Sequence, residues 1–341
     1  MTSHSQRPIF LHGLWRSGST FIWSEFRKNP NTYCYLEPLH HRFSHLTKKR
    51  VFRDTPSVNK GNNHPVMEQP YFFELIPLIN FRGVKNHSSR LAFEKFFLNE
   101  NDTYPALEKY ISTLVDHGHK ENKIPVLGFN RTPFRIAWLQ KKFPSWNIHL
   151  DRHPFDIWCS YETHYQKKNP TFYVHWLRTI EKNQDHPVFS CLKDFITTRT
   201  TIEKLLRHPK KFYVSTIPDI PIKDRYLMVF VIWLGTILHA LTYADDIFDI
   251  NNHQKDYIAQ KKQNILDNTG IEVDFTGLNT KSYDNALLSE DEKKQAEDLA
   301  IEIFPLDQFT AFFDKDKVLS RSEILDPEKF SYIEKLFAKN S

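Results

Sequence analysis

The sequence predicts an α/β protein with a central parallel sheet flanked by helices and a helical C-terminal half. A short apolar run, Ile9 to Leu11, leads into a Gly/Ser turn and then a helical pattern with Phe21, Ile22 and Phe26 on one side. Strand-like and helical stretches alternate again over 124–165, which implies parallel pairing through crossovers. Beyond residue 170 the pattern is mostly helical.

Residues 8–27, PIFLHGLWRSGSTFIWSEFR, constrain function most. A strand, a tight small-residue loop and a helix start make an anion site, because unpaired N–H groups and the helix dipole meet at one point. The spacing nearly matches Gly-x-x-x-x-Gly-Lys-[Ser/Thr], with Ser19 where the lysine would stand. The positive charge lies inside the loop, at Arg16. Taken alone, a Ser/Gly turn before a helix is as often a simple cap as a ligand site.

Next, NPNTYCYLEPLHH (29–41) reads as a turn at Asn29-Pro30, a short strand through Tyr33 and Tyr35, and a loop carrying Glu37. Residues 42–70 are rich in Lys, Arg, Asn, Pro and His, the composition of an exposed excursion or lid and not of core. With the aromatic clusters of 71–98, whose state the pattern leaves open, they form an expected substrate-side insertion over 42–100. Leu107, Tyr110, Ile111 and Leu114 recur at helical spacing and predict a helix over 103–118. Ile124 to Phe129 is a strand, Asn130 to Pro133 a turn, 134–143 a helix and Trp146 to Leu150 a buried strand. Asp151 to Pro154 closes that strand. A helix follows from Phe155 to Tyr165, with Pro154 in its first turn, where a missing N–H costs nothing. A further strand is expected at Lys211 to Ser215. The apolar stretch 227–238 is too short to span a bilayer and reads as a buried core helix. With no repeat and no clear linker, 1–341 is read as one domain.

The 28 Phe, 14 Tyr and 7 Trp supply a sizeable core, and only 9 glycines argue against a low-complexity chain. A net charge of +5 suits an anionic ligand but is weak support for nucleic-acid binding, and none is expected. Cys34, Cys159 and Cys191 are odd in number and lack zinc spacing, so reduced thiols are expected. No apolar signal core precedes the first strand, which with the missing span points to a cytoplasmic protein. The 17 histidines are too dispersed to propose metal ligands.

The 16–20 loop, Arg131 and Arg152 each follow a strand, so a parallel sheet would face all three to one edge. Ser160 lies two helical turns after Arg152. A guanidinium fork and a hydroxyl placed so could grip one phosphate. Alone, Arg152 reads as an ion-pair partner and Ser160 as an ordinary helix residue.

WRSGSTF and IHLDRHPFDIWCSY resemble two motifs of the PAPS-dependent sulfotransferase family, and their order and separation fit as well. The loop is closest to the Arg-Ser-Gly-Ser/Thr form of carbohydrate-type and bacterial members. The resemblance covers about 8–41 and 124–165 and implies a P-loop-like three-layer α/β fold. It further implies that Arg16, Ser17, Gly18, Ser19 and Thr20 hold the 5′-phosphosulfate of PAPS (3′-phosphoadenosine 5′-phosphosulfate). Arg152 and Ser160 would hold the 3′-phosphate, and Phe21 would lie beside the adenine. The product would be adenosine 3′,5′-bisphosphate. Four departures stand out. Arg152-His153-Pro154 replaces Arg-Asp-Pro, and Arg131-Thr132-Pro133 replaces Lys-[Ser/Thr]-Pro. The C-terminal Gly-rich segment of the cytosolic branch is missing, and no Tyr-Glu-Asp-like element is evident at 211–219.

Sulfuryl transfer needs a cation at the leaving oxygen, donors around the sulfuryl oxygens and a base for the acceptor proton. It requires no metal. Arg16 meets the first need, and the loop N–H groups with Ser19 and Thr20 meet the second. For the base, Glu37 in Tyr-Leu-Glu-Pro stands where carbohydrate-type members place a catalytic Glu, and His40 and His41 are the alternatives. Glu37 read alone would be a turn residue in a salt bridge. The acceptor is expected to be a small molecule or glycan with a hydroxyl, and Lys48-Lys49-Arg50 is a solvated face or a contact for an anionic acceptor. Two other readings stay open: a P-loop kinase using Mg-ATP, with Asp151 holding Mg²⁺, and a catalytically inactive adenosine-bisphosphate-binding protein.

Overall fold

The computed structural model describes residues 7–59, 65, 67–196, 209–280, 283 and 287–339. Residues 1–6, and positions 60–64 and 66 of the expected excursion, lie outside that set. The chain divides into two compact units, Met1–Asp151 with Tyr243–Thr280, and Arg152–Thr242 with Lys281–Ser341.

The first unit holds a five-stranded sheet in the order β2-β5-β1-β6-β7, with every pair parallel. Its strands are β1 (Ile9–Gly13), β2 (Thr32–Leu36), β5 (Ile124–Phe129), β6 (Trp146–Asp151) and β7 (Asp246–Asp249). A short antiparallel hairpin, β3 (Ile79–Asn80) with β4 (Gly83–Val84), stands apart from it. Helices cover both faces, so the strands are apolar on both sides and their residues alternate between two cores. Phe10, Tyr35, Leu127 and Phe129 pack with Leu107, Tyr110, Ile111 and Leu114 of α3 (Pro105–Lys120) and with Trp138 and Leu139 of α4 (Ile136–Lys142). On the opposite face, Ile9, Leu11, Val126, Ile148 and Leu150 pack with Ile22, Trp23 and Phe26 of α1 (Ser19–Arg27). Ile265 of α10 (Lys255–Thr269) completes that core.

The second unit is helical over its described residues. It begins with α5 (Pro154–Gln166) and α6 (Thr171–Lys182), followed by the short α7 (Pro187–Ser190) and α8 (Pro209–Thr216). Then come α9 (Ile222–Tyr243), α11 (Glu290–Ile303), α12 (Leu306–Phe309), α13 (Lys315–Ser320) and α14 (Pro327–Lys339). Every side chain of α9 from Arg225 to Thr242 is buried, so the apolar stretch at 227–238 is a core helix. Arg225 enters it as the ion-pair partner of Glu162, its Nε 2.9 Å from the carboxylate, and Tyr173 donates to the same carboxylate.

Two expectations are corrected. The strand placed at Lys211 to Ser215 is the helix α8. Phe212, Tyr213 and Thr216 are buried at helical spacing, and the hydroxyls of Ser215 and Thr216 bond back to the Phe212 carbonyl at 2.8 and 3.0 Å. Those β-branched and aromatic residues read as strand because packing, not local preference, decides their state. The fifth strand is β7, whose first residue Asp246 is buried against Lys261 at 2.5 Å and Asn264 at 2.8 Å. The stretch 42–70 is also not wholly outside the core. Phe43, Leu46 and Val51 are buried in the first cluster, and residues from Lys48 to Asn59 form α2.

Candidate functional site

Because all five strands run the same way, the residues that follow β1, β2 and β5 share one edge of the sheet. The loop after β1 has an unusual backbone. Arg16 and Gly18 take φ of 70° and 75°, and Ser17 between them is not in the positive region. Such alternation turns successive N–H groups into a concave anion cradle. The N–H groups of Gly18, Ser19 and Thr20 make no hydrogen bond among the described residues, whereas Ser17 N–H is spent on the Leu14 carbonyl at 3.2 Å. Gly18 caps α1 without a side-chain bond, so the helix start is left open to an external acceptor. A β-carbon at Gly18 would stand 2.5 Å from Ile250 Cδ1, so the chain after β7 seats the loop from below. The Ser17 hydroxyl is buried and has no hydrogen-bond partner among the described residues.

Glu37 follows β2 and also takes a positive φ, 44°. Its N–H extends the β2–β5 ladder to the Gly128 carbonyl at 2.8 Å, and its own carbonyl accepts the His40 N–H at 2.8 Å in a tight turn. Non-glycine residues in this region cost roughly 1–3 kcal/mol each and collect where geometry matters more than stability. At Asn122 and Lys168 a helix end explains the same conformation, since each stands just past one. Arg16 and Glu37 have no such explanation.

Arg131 ties these two together. It follows β5, is 1% exposed, and lies with its guanidinium carbon 4.9 Å from the Trp15 ring centroid, in the loop itself. Its Nη1 is 3.6 Å from Glu37 Oε2 and 2.9 Å from Asn130 Oδ1. The Glu37 side chain keeps 28% of its surface exposed, so it faces solvent from a buried anchor. Beneath the edge, His12 of β1 accepts from the Thr132 hydroxyl at Nδ1, 2.7 Å, and donates from Nε2 to Asn147 Oδ1 at 3.1 Å, as the hydrogen-bond network assigns its proton. Thr132 of the Arg-Thr-Pro turn is thereby fixed to two strands. Neither His12 nor Trp15 is assigned a role from the sequence. The one signal was a histidine inside an otherwise apolar strand.

His40 and His41 lie in the turn after Glu37, their rings stacked 4.8 Å apart. His40 Nδ1 accepts the Arg42 N–H at 3.2 Å, which commits that nitrogen within the chain. Phe21, half-buried on α1, lies where a side chain at Gly277 would touch its ring at 3.6 Å.

The second unit carries Arg152 and Ser160, both buried. Arg152 Nε is 3.8 Å from Asp156 Oδ2, and its guanidinium carbon is 5.9 Å from the Tyr283 ring centroid. His153, standing where the resembled motif has Asp, caps α5: its Nδ1 accepts the Phe155 N–H at 3.2 Å. Its Nε2 lies 3.6 Å from Glu328 Oε1 of α14, and the nearby imidazole is the main reason the Glu328 carboxyl pKa falls to about 2.

No protein family, no curated protein and no solved structure matches this chain. The parallel five-stranded α/β architecture is therefore the level at which the structure itself places it.

Proposed function

We propose that this sheet edge binds the phosphosulfate end of PAPS and moves its sulfuryl group to an acceptor hydroxyl. The observation that carries the reading is the 16–20 loop, where an alternating backbone leaves three N–H groups open at a helix start. Its cation, Arg16, stands within the loop and not after it. That set of donors suits a phosphate oxygen and a neighbouring anionic group and lacks the lysine that a terminal γ-phosphate calls for.

When bound, PAPS would supply the sulfuryl group on a bond to a phosphate oxygen. Arg16 then neutralises charge growing on that oxygen as the S–O bond breaks, and the hydroxyls of Ser19 and Thr20 donate to the anionic oxygens. Glu37 accepts the acceptor's proton as the new S–O bond forms, and Arg131 holds the carboxylate in line. His40 and His41 are the alternative bases. Arg152 and Ser160 are proposed for the 3′-phosphate and Phe21 for the adenine, on the strength of the sequence resemblance. A glycan or other alcohol is favoured as acceptor by the form of the loop.

One observation favours a second reading, phosphoryl transfer with Mg-ATP. Asp151 and Asp249 are register partners at the ends of β6 and β7, and both are buried. Ligand-induced stabilisation separates the two. Adenosine 3′,5′-bisphosphate is expected to raise the melting temperature without Mg²⁺, and Mg-ATP is not; the reverse result would overturn the sulfuryl-transfer reading. With labelled PAPS, Glu37→Gln is expected to abolish transfer and keep the bisphosphate shift. Transfer surviving in that variant would move the base to His40 or His41. A wild-type protein that binds the bisphosphate but transfers to no acceptor would fit the inactive binding protein.

A further inference from the structure

We infer that the exposed face of α2 and the β3–β4 hairpin form a docking surface for an anionic lipid membrane. Among the described residues four large hydrophobic side chains are exposed, and three of them, Phe52 (54%), Phe73 (36%) and Phe81 (91%), fall within thirty positions of the first unit. Phe52 and Phe73 meet edge to face, with centroids 6.4 Å apart, so they form a patch and not scattered residues. On α2, Lys48, Lys49, Phe52 and Arg53 are all exposed, and their i, i+4 spacing puts them on one side, while Val51 is buried. Over 42–53 the chain carries Arg42, Lys48, Lys49, Arg50 and Arg53 and no acidic residue. Glu74, next to Phe73, has its carboxylate bound by Arg27 at 2.6 Å.

The hairpin adds the second half of the surface. Phe81 stands at its tip with the Arg82 guanidinium carbon 5.0 Å from its ring centroid, and Arg82 and Lys85 are exposed. The hairpin is fixed to the turn that precedes α2. Gly83 has φ of 90°, and a β-carbon there would lie 2.2 Å from the Phe43 carbonyl oxygen; Ser44 also bonds His87 at 3.2 Å. The aromatic tip and the basic helix therefore spring from one rigid junction at residues 43–44.

Aromatic rings set among lysines and arginines are the chemistry of a membrane interface: the rings enter the headgroup boundary and the cations meet anionic lipid. A soluble polyanion would use the cations alone and give Phe81 no partner. The surface stands on its own and does not rest on the sulfuryl-transfer reading.

The test is co-sedimentation of the full chain with vesicles. Binding is expected to phosphatidylserine-containing vesicles, not to pure phosphatidylcholine, and to fall with salt. Phe52→Ala with Phe81→Ala is expected to weaken partitioning by about tenfold or more, and Lys48→Glu with Lys49→Glu to weaken it as far. Thermal melts unchanged from the parent show that these variants fold. Phe81→Trp is expected to shift its emission to the blue on phosphatidylserine vesicles. No binding to them, or binding that ignores the Phe substitutions and is displaced wholly by heparin, overturns the proposal and leaves a soluble polyanion as the partner.

Discussion

At the sheet edge of the first unit, Arg16, Gly18 and Glu37 hold positive φ, and the N–H groups of Gly18, Ser19 and Thr20 have no bond within the described chain. At the start of α5 in the second unit the charged side chains face partners within the unit. Asp156 faces Arg152, His153 caps the helix and also reaches Glu328, and deeper in the unit Glu162 takes both Arg225 and Tyr173. One region stores backbone strain and leaves donors open; the other spends its charges on itself. An anion arriving at the first meets unspent donors, whereas one arriving at Arg152 competes with a carboxylate already there.

The largest effect expected from this contrast is at Arg16. Arg16→Ala is expected to lower kcat in the labelled-PAPS assay by about 10²- to 10³-fold, since it removes the cation proposed for the leaving oxygen. Arg131→Ala comes next, at about 10- to 100-fold in kcat, with the bisphosphate melting shift kept. On the proposed reading Arg131 is a positioning residue, so Arg131→Lys is expected to restore part of the rate and the pH profile. A loss of bisphosphate binding equal to the loss of rate would mean that it contacts the ligand.

A third expectation compares the units as folded bodies. Burial lowers His87 in the first unit and His186 in the second to about 3, from an ordinary 6.5. Each folded unit refuses a proton that the unfolded chain takes up below about pH 6.5. Stability is therefore complete above that pH and falls as pH drops towards 3, by up to about 1.4 kcal/mol per pH unit for each histidine. Urea unfolding across this window should show the slope, and His87→Asn and His186→Asn should each flatten it. Slopes unchanged in both variants would locate acid sensitivity elsewhere. The smallest effect is at Asp156. If Arg152 receives a phosphate, Asp156→Ala should tighten bisphosphate binding by about two- to fivefold, because the internal competitor is gone. Weaker binding in that variant would mean that Asp156 orients Arg152 and does not compete with the ligand.

The sheet was legible where one strand face or one apolar run sufficed. Ile9–Leu11, Ile124–Phe129 and Trp146–Leu150 are short, apolar and bounded by turns, and each is a strand. β7 was hidden because its four residues begin and end in aspartate, and it is Lys261 and Asn264, fifteen and eighteen positions away, that make the burial of Asp246 tolerable. Lys211 to Ser215 misled for the opposite reason, since strand-forming residues there are held in a helix by the burial of Phe212, Tyr213 and Thr216. The 16–20 loop could be singled out by its spacing, while the roles expected of its residues came from the resemblance. The link from Trp15 through Arg131 to Glu37 could not, because it joins three separate strand ends and appears only when the strands are set side by side.

The left-handed backbone at Arg16 and Glu37 has a consequence for any attempt to improve the protein by selection. Glycine would relax both positions. A screen that rewards only heat resistance should enrich glycine at 16 and 37, at the expense of the chemistry proposed for Arg16 and Glu37. Where such a screen finds its gains would mark the strained positions without a single assay of activity.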